Sequence, residues 1–311
     1  MRTVSLGEAG VQVSALCLGC MFFGTRVNER TSMRLLDLYT AAGGSFIDTA
    51  NNYAFWVPGG RGGESEALLG RWMHRRGNRD RLFVATKVGG APGEDLSHAA
   101  IQAAIDGSLR RLQIDYLDLY YAHIDHRSVA LEETLASFGE LVAAGKVRHI
   151  GCSNYAAWRL ERARRTSDAH GVPRYCCIQQ RHSYIRARAG ASFGAQLVAD
   201  DALLDFCTDN PQVALLAYSP LLSGAYTVPG RAIPDQYLGA DTEARLRALD
   251  STARATGATA NQIVLAWLRA TTPPAIPLIA ASNEAQLEEN LGALALDLSA
   301  EQLATLDAAA A

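Results

Sequence analysis

The sequence carries little net charge and no long apolar run. Its 29 Lys and Arg residues against 32 Asp and Glu residues give a formal net charge of -3, so it lacks the excess of basic side chains that binds nucleic acid. No stretch reaches the ~18 consecutive apolar residues of a membrane span, and the start lacks the apolar segment of a secretion signal. We therefore expect a cytoplasmic protein that acts on a small molecule and binds neither nucleic acid nor a membrane.

Paired cysteines are almost absent as well. Among six cysteines, only Cys17 and Cys20 have the C-x-x-C spacing of a redox or zinc site, and no second such pair accompanies them. The alternative is that the cysteines, most of which lie in apolar runs, are small buried hydrophobes. We favour this alternative and predict neither a disulfide nor a metal site.

What the chain does contain is a regular alternation of apolar strands and amphipathic helices, in a sequence that is 49% hydrophobic. We predict strands near residues 15–21, 45–50, 82–88, 116–123, 147–153, 175–179, 213–218 and 275–280, with helices between them (one over 196–208) and a final helix pair. Residues 1–13 indicate a β-hairpin cap, and residues 219–240 a long irregular loop.

Eight such units without a linker favour one (β/α)8 TIM barrel with extra helices, spanning residues 1–311 as a single domain. No Gly-x-Gly-x-x-Gly motif follows the first strand, so the dinucleotide signature of an open doubly wound sheet is missing.

Four polar residues leave three consecutive strands at matching ends: Asp48, Tyr53, Lys87 and His123. Free tyrosine has a pKa of about 10, so it needs a nearby cation to lower that value. Lys87 is available as this cation, Asp48 as its partner, and a neutral His123 as a hydrogen-bonding group for a carbonyl. Each residue alone also has a structural explanation, and Lys87 by itself would suit a Schiff-base aldolase. Together they predict a proton donor aimed at a polarised oxygen.

Several motifs then resemble the aldo-keto reductase superfamily over essentially the whole chain. They are Phe46-Ile-Asp-Thr-Ala-Asn-Asn-Tyr53, Ala85-Thr-Lys87, Asp118-Leu-Tyr-Tyr-Ala-His123, Gly151-Cys-Ser-Asn154, Tyr218-Ser-Pro-Leu221 and Leu287-Glu-Glu-Asn290. The resemblance implies a barrel that binds NADP(H) across its mouth and reversibly reduces an aldehyde or ketone to the alcohol. It makes Tyr53 the general acid, Lys87 and Asp48 the pair that tunes it, and His123 the group that orients the substrate.

The same resemblance implies a cofactor site. Its residues are Gly19, Met21, Asp48, Ser153, Asn154, Gln179, Tyr218, Ser219, Leu221, Ser223, Gly224, Ser282, Gln286, Glu289 and Asn290. In it, Ser153, Asn154 and Gln179 hold the nicotinamide carboxamide and Tyr218 stacks on the ring, while residues 219–240 cover the pyrophosphate. No Arg or Lys stands near Ser282 and Gln286, where relatives that prefer the 2'-phosphate carry one. We keep NADP(H) as the predicted cofactor, with NAD(H) as the alternative.

The substrate is less well defined by the sequence. Phe22 (or Phe23), Phe55 and Trp56 are expected to line the substrate opening together with His123. A second departure from the family is a basic segment with Arg181, Arg186 and Arg188, which is either a solvated face or a site for an acidic substrate or a sugar nucleotide. The same barrel and residues also occur in potassium-channel beta subunits, so a cofactor-binding regulatory subunit is the competing function. No feature of the sequence indicates the oligomeric state.

Overall fold

The computed structural model describes residues 1–309, so the last two residues of the predicted 1–311 unit lie outside the described part. Within it, eight parallel strands close into a barrel in the order β10-β3-β4-β5-β6-β7-β8-β9. They are β3 (Cys17–Gly19), β4 (Phe46–Asp48), β5 (Phe83–Val88), β6 (Leu117–Ala122), β7 (Val147–Ser153), β8 (Tyr175–Arg181), β9 (Ala214–Tyr218) and β10 (Ala275–Ile279). The predicted (β/α)8 TIM barrel is confirmed.

Helices surround this barrel. They are α1 (Glu29–Ala41), α2 (Glu64–Arg76), α3 (His98–Leu112), α4 (Leu131–Ala143), α5 (Ala157–His170), α6 (Asp201–Asp209), α7 (Thr242–Thr256), α8 (Ala260–Ala270), α9 (Glu284–Gly292) and α10 (Ala300–Ala308). The helix predicted over 196–208 starts late, because Asp200 is its N-cap and accepts a hydrogen bond from the amide of Leu203. Residues 182–200 are therefore a long connection above the barrel.

A β-hairpin closes the amino-terminal end of the barrel, as predicted. Its strands are β1 (Thr3–Ser5) and β2 (Gln12–Ser14), joined by a 3-10 turn over Gly7–Ala9. Leu6 and Val13 pack with the inward-facing barrel residues Phe46 and Phe83 in one apolar cluster. At Gly7, which has φ of +54°, a Cβ would lie 2.3 Å from two backbone carbonyl oxygens, that of Cys176 in β8 and that of Gln212 just before β9. Only glycine allows the turn to sit this close.

The apolar runs that predicted buried strands are buried. β5 and β6 are buried along their whole length, as expected for strands covered on both faces in a parallel barrel. All six cysteines are buried and free, including Cys17 and Cys20. Among residues 1–309, no helix combines the length and apolar composition needed to cross a membrane.

Candidate active site

The barrel brings the polar residues of three neighbouring strands together at its carboxyl end. Asp48 is the last residue of β4, Lys87 lies next to the end of β5, and His123 directly follows β6. The loop after β4 then turns back, and it places Tyr53 beside these strand ends. Parallel strands in a barrel end at the same rim, so matching positions along the sequence become neighbours in space.

Lys87 is the centre of this group. Its ammonium donates hydrogen bonds to Asp48 Oδ1 at 2.5 Å, to the Thr49 carbonyl at 2.7 Å and to Tyr53 Oη at 2.7 Å. The Tyr53 hydroxyl in turn donates to Asp48 Oδ1 at 3.3 Å. Lys87 and Asp48 are both fully buried. All three N–H bonds of the ammonium are used, which suits a fixed cation and leaves no free amine for Schiff-base chemistry.

The expectation that Lys87 lowers the pKa of Tyr53 was wrong for this structure. Burial raises the pKa of the Tyr53 phenol well above its usual value, and the Asp48 carboxylate raises it further. Burial also lowers the pKa of Lys87, against the opposing effect of Asp48. In the resting site, the carboxylate of Asp48 offsets the positive charge of Lys87 at the phenol. Tyr53 is therefore protonated at neutral pH.

His123 stands at the edge of the group, with its ring centroid 6.0 Å from that of Tyr53. Burial, reinforced by the charge of Lys87, lowers the pKa of His123 to about 3, so the imidazole is neutral at pH 7. Its Nδ1 is buried and has no hydrogen-bond partner among residues 1–309. A neutral ring carries one N–H. Because Nδ1 has no acceptor beside it, the proton is better placed on Nε2. From there the imidazole can donate a hydrogen bond to the carbonyl oxygen of a substrate.

A second polar network adjoins Asp48. Gln179 Nε2 donates to Asp48 Oδ2 at 2.9 Å, and Ser153 Oγ donates to the Gln179 carbonyl at 2.8 Å. Asn154, with φ of +59°, donates to Ser153 Oγ and to the His123 carbonyl, and its Oδ1 accepts from Tyr218 Oη at 2.8 Å. The amide of Asn154 is thus fully used, while Gln179 Oε1 makes no hydrogen bond within residues 1–309.

The predicted cofactor-covering loop begins with an unusual backbone. Residues at positive φ are Ser219 (+54°), Leu222 (+47°), Ser223 (+58°) and Gly224 (+90°). Such left-handed positions are costly for side-chain-bearing residues and often form anion-binding concavities of backbone amides. Arg231, further along the same loop, donates to the Ser223 carbonyl. The sequence reasoning missed Arg231, because only the folded loop brings its guanidinium back to Ser223.

The remaining predicted cofactor residues lie around the same rim. Gly19, the last residue of β3, pairs in register with Asp48, and Met21 lies two residues after Gly19. Near α9, Gln286 Oε1 accepts a hydrogen bond from the Ser282 amide at 2.7 Å, while Asn283 caps the helix by accepting from the Gln286 amide at 3.0 Å. Glu289 and Asn290 bind neighbouring elements: Glu289 Oε2 accepts from Asn261 at 3.2 Å, and Asn290 donates to the Ala280 carbonyl at 3.1 Å.

The aromatic residues of the predicted opening are arranged edge to face. The ring centroids of Phe22 and Trp56 are 6.5 Å apart, and those of Phe55 and Trp56 are 5.1 Å apart. Phe55 is 38% exposed and Trp56 is 45% exposed, whereas Phe23 is buried in the core. Of the two phenylalanines considered, Phe22 is therefore the one at the surface. Arg26 lies over its ring, with its guanidinium carbon 4.6 Å from the centroid.

Glu94 is a further residue of the site that the sequence reasoning missed. Its Oε1 accepts a hydrogen bond from the Asn51 side chain at 2.7 Å, and its Oε2 accepts from three successive amides, those of Gly89, Gly90 and Ala91. It thereby links the loop after β5 to the loop that carries Tyr53. A Cβ at Gly90 would lie 2.4 Å from His123 Nδ1, so this loop also packs on the imidazole.

The three arginines of the basic segment separate in the structure. Arg186 is exposed and lies 3.6 Å from a carboxylate oxygen of Asp201, while Arg188 donates to the Asp235 carbonyl at 3.2 Å. Arg181 instead lies against the rings of Phe193 and Tyr218. Arg181 alone among the three contacts a predicted cofactor residue.

Comparisons with known proteins agree with this geometry. The sequence pattern of the Aldo/keto reductase family matches residues 15–311. Norsolorinic acid reductase stcV of Emericella nidulans is 34% identical over 318 aligned positions, which cover 95% of this chain and 78% of that protein. Protein tas of Escherichia coli is 31% identical, with 99% and 97% of the two chains covered. The crystal structure of the thermostable aldo-keto reductase Tm1743 in complex with the inhibitor epalrestat superposes with a TM-score of 0.80, at 30% identity, over 99% of this chain and 100% of the other.

The chain therefore belongs to the aldo/keto reductase family, and the resemblance in its sequence motifs is confirmed. Membership makes it an oxidoreductase of small-molecule carbonyl compounds that uses a nicotinamide cofactor.

Proposed function

We propose that the protein reduces an aldehyde or ketone to the alcohol, reversibly, with NADP(H) as cofactor and Tyr53 as general acid. The observation that supports this most directly is the buried triad in which Lys87 Nζ lies 2.7 Å from Tyr53 Oη and 2.5 Å from Asp48 Oδ1. When bound, the reduced nicotinamide supplies the hydride. The side chains at the barrel mouth supply the proton and hold the substrate.

Tyr53 is the proton donor because it is a protonated phenol fixed at the mouth of the barrel. A carbonyl oxygen gains negative charge as the hydride adds, so its demand for a proton rises during the reaction. Proton transfer from a positioned acid contributes roughly 10²- to 10⁴-fold to the rate. Lys87 stays next to the phenol and stabilises the negative charge that develops on its oxygen, while Asp48 holds Lys87 in place.

His123 orients the carbonyl. The neutral imidazole donates from Nε2 without carrying a charge, so it favours one direction of approach and leaves proton transfer to Tyr53. The aromatic rim of Phe22, Phe55 and Trp56 favours a substrate whose carbonyl is attached to an apolar body.

Residues at the mouth would suit a nicotinamide dinucleotide at four points. Gln179 Oε1 has acceptor capacity left for the amino group of a carboxamide. Ser153 and Asn154 would complete that contact by giving up the hydrogen bond from Asn154 Nδ2 to Ser153 Oγ. The segment of residues 219–224, in which four residues have positive φ, suits the pyrophosphate together with Arg231, and the half-buried ring of Tyr218 suits the nicotinamide face. At the ribose end, Ser282 and Asn283 offer neutral hydrogen bonds to a 2'-phosphate.

Replacing the acid tests the proposal. Tyr53→Phe removes the hydroxyl and keeps the ring, so turnover with NADPH should fall about 10²- to 10⁴-fold against a panel of aldehydes and ketones. Binding of NADPH, followed by fluorescence quenching, should stay within about twofold. Retained turnover would show that Tyr53 is not the general acid. Tight NADPH binding by the unmodified protein with negligible turnover on the panel would favour the regulatory subunit instead.

A comparison of kcat/KM for NADPH and NADH tests the cofactor choice separately. The predicted preference for NADPH would be overturned by a higher value with NADH.

A further inference from the structure

Arg181 and Tyr218 form the last register pair between β8 and β9. Paired residues on adjacent strands project their side chains to the same side. The guanidinium carbon of Arg181 lies 5.2 Å from the centroid of the Tyr218 ring and 4.7 Å from that of the Phe193 ring. Both distances are within the ~6 Å range of a cation–π contact. A cation therefore covers one face of Tyr218.

The charge of Arg181 is not neutralised by a neighbouring carboxylate. Its terminal nitrogen donates to Gln196 Oε1, a neutral acceptor, and its buried Nε has no partner among residues 1–309. Arg186, five residues on, pairs with Asp201, but Arg181 has no ion pair within the described part of the chain. A partly buried, unpaired cation exerts a field that water screens only weakly.

This field reaches Tyr218. Burial raises the pKa of the Tyr218 phenol, and the positive charge of Arg181 opposes the rise. The hydroxyl itself is fixed by donation to Asn154 Oδ1 at 2.8 Å, so the ring is held in place between Asn154 and Arg181. With one face covered by the guanidinium, a planar ligand must use the opposite face.

We propose that Arg181 makes the site distinguish the two redox states of the nicotinamide, so that the reduced form is bound more tightly than the oxidised form. The inference rests on the proposed function, in which Tyr218 stacks on the nicotinamide. The oxidised ring carries a positive charge and the reduced ring is neutral. Arg181 therefore repels only the oxidised ring across Tyr218, whereas the phosphates and adenosine common to both forms are bound alike.

The arrangement favours carbonyl reduction over alcohol oxidation. Weaker binding of the oxidised cofactor speeds its departure after each turnover, and product release limits many enzymes. A direct anion-binding role for Arg181 is less well supported, because its guanidinium is flanked by two aromatic rings and already donates to Gln196.

The test is the ratio of dissociation constants, Kd(NADP+)/Kd(NADPH), measured by fluorescence quenching and calorimetry without any substrate. In Arg181→Gln the ratio should fall on the order of tenfold, mainly through tighter binding of NADP+. Arg181→Met also removes the charge but keeps an aliphatic side chain of similar length against Phe193. It should lower the ratio by the same factor, and it replaces Arg181→Gln as the test if the glutamine variant folds poorly. Arg181→Lys keeps the charge and should hold the ratio within about twofold of the unmodified protein.

Arg186→Gln is the matched control, since it removes one positive charge from the same segment but away from Tyr218. Its ratio should not change. The inference is overturned if the neutral Arg181 variants weaken both cofactor forms equally, or leave the ratio unchanged. If the unmodified protein binds neither form, the proposed function fails as well. Binding of both forms with an unchanged ratio overturns the role of Arg181 alone.

Discussion

The two ends of the barrel are built for different purposes, although the same strands form both. At the amino-terminal end, Leu6 and Val13 of the hairpin pack on apolar barrel residues such as Phe46 and Phe83. At the carboxyl end, the strands that carry these phenylalanines reach Asp48, two residues after Phe46, and Lys87, four residues after Phe83. On each of these strands, a residue that stabilises the fold and a residue of the active site thus lie only two to four positions apart. Substitutions at the two ends should therefore have separable effects, and the following experiments test this.

Lys87→Met should have the largest effect on turnover. The variant loses the cation next to Tyr53 Oη, so kcat should fall about 10²- to 10⁴-fold. It also leaves Asp48 buried without its partner, which should lower the free energy of unfolding by about 3–5 kcal/mol. Steady-state kinetics and urea denaturation measure the two effects separately.

The double variant Asp48→Asn, Lys87→Met is the matched control for this experiment. Removing both charges should restore most of the lost stability, because no uncompensated charge remains. Turnover should stay low. Recovery of turnover together with stability would mean that the ion pair only supports the fold.

Leu6→Ala should show the opposite pattern. Leu6 is fully buried under the barrel, and truncating such a side chain lowers the free energy of unfolding by about 2–5 kcal/mol. The kcat of the folded protein should stay within about twofold. Val11→Ala, on the same hairpin but only half-buried, should cost clearly less. A large fall in kcat for Leu6→Ala, measured under conditions where the variant is fully folded, would show that the active site depends on packing at the opposite end of the barrel.

Glu94→Gln should reduce kcat by about tenfold with little loss of stability. An amide has one acceptor oxygen, so it keeps either the bond to Asn51 or the bonds to the three loop amides, not both. The loop carrying Tyr53 should then be less well placed, and small misplacements are costly in catalysis. Glu132→Gln removes an exposed charge from α4 and serves as the control. Equal kcat values for both variants would show that Glu94 does not position the loop carrying Tyr53.

The effect that is smallest at neutral pH concerns stability in acid. Because the pKa of His123 is lowered to about 3, the unfolded chain binds a proton at this site below about pH 6.5 and the folded chain does not. Stability should therefore fall as pH drops from 6.5 towards 3, by less than about 1.4 kcal/mol per pH unit for this partly exposed ring. His182, whose pKa is lowered to about 4, adds to the same trend.

Comparison with His123→Asn isolates the share of His123, since His182 contributes equally in both proteins. Parallel curves of unfolding free energy against pH would contradict the assignment of a depressed pKa to His123.

Sequence alone predicted the barrel well because each strand is an apolar run and the alternation with helices admits few topologies. It also placed Asp48, Lys87 and His123 at one rim, since parallel strands share a carboxyl end. It was wrong about the pKa of Tyr53, because the sequence does not give the depth of burial or the 2.5 Å contact that neutralises Lys87.

Other features depend on contacts between distant loops, and no local pattern encodes them. Glu94 binds residues on its own loop and Asn51, 43 positions away. In the sequence, Arg181 is one of several arginines in a basic segment. Its position beside Tyr218 follows only from the pairing of β8 with β9. Arg231 returns to Ser223 only in the folded loop.

The contact between Gly90 and His123 has a consequence for changing substrate range by directed evolution. Any side chain at position 90 would meet Nδ1 of His123 at 2.4 Å, and Glu94 holds the neighbouring amides. Selection for new substrates should therefore accept few substitutions at 89–94. In the segment of residues 55–57, where Phe55 and Trp56 are exposed, new side chains should be accepted without moving the imidazole. A library that leaves the first segment fixed and varies the second should retain most of its active members.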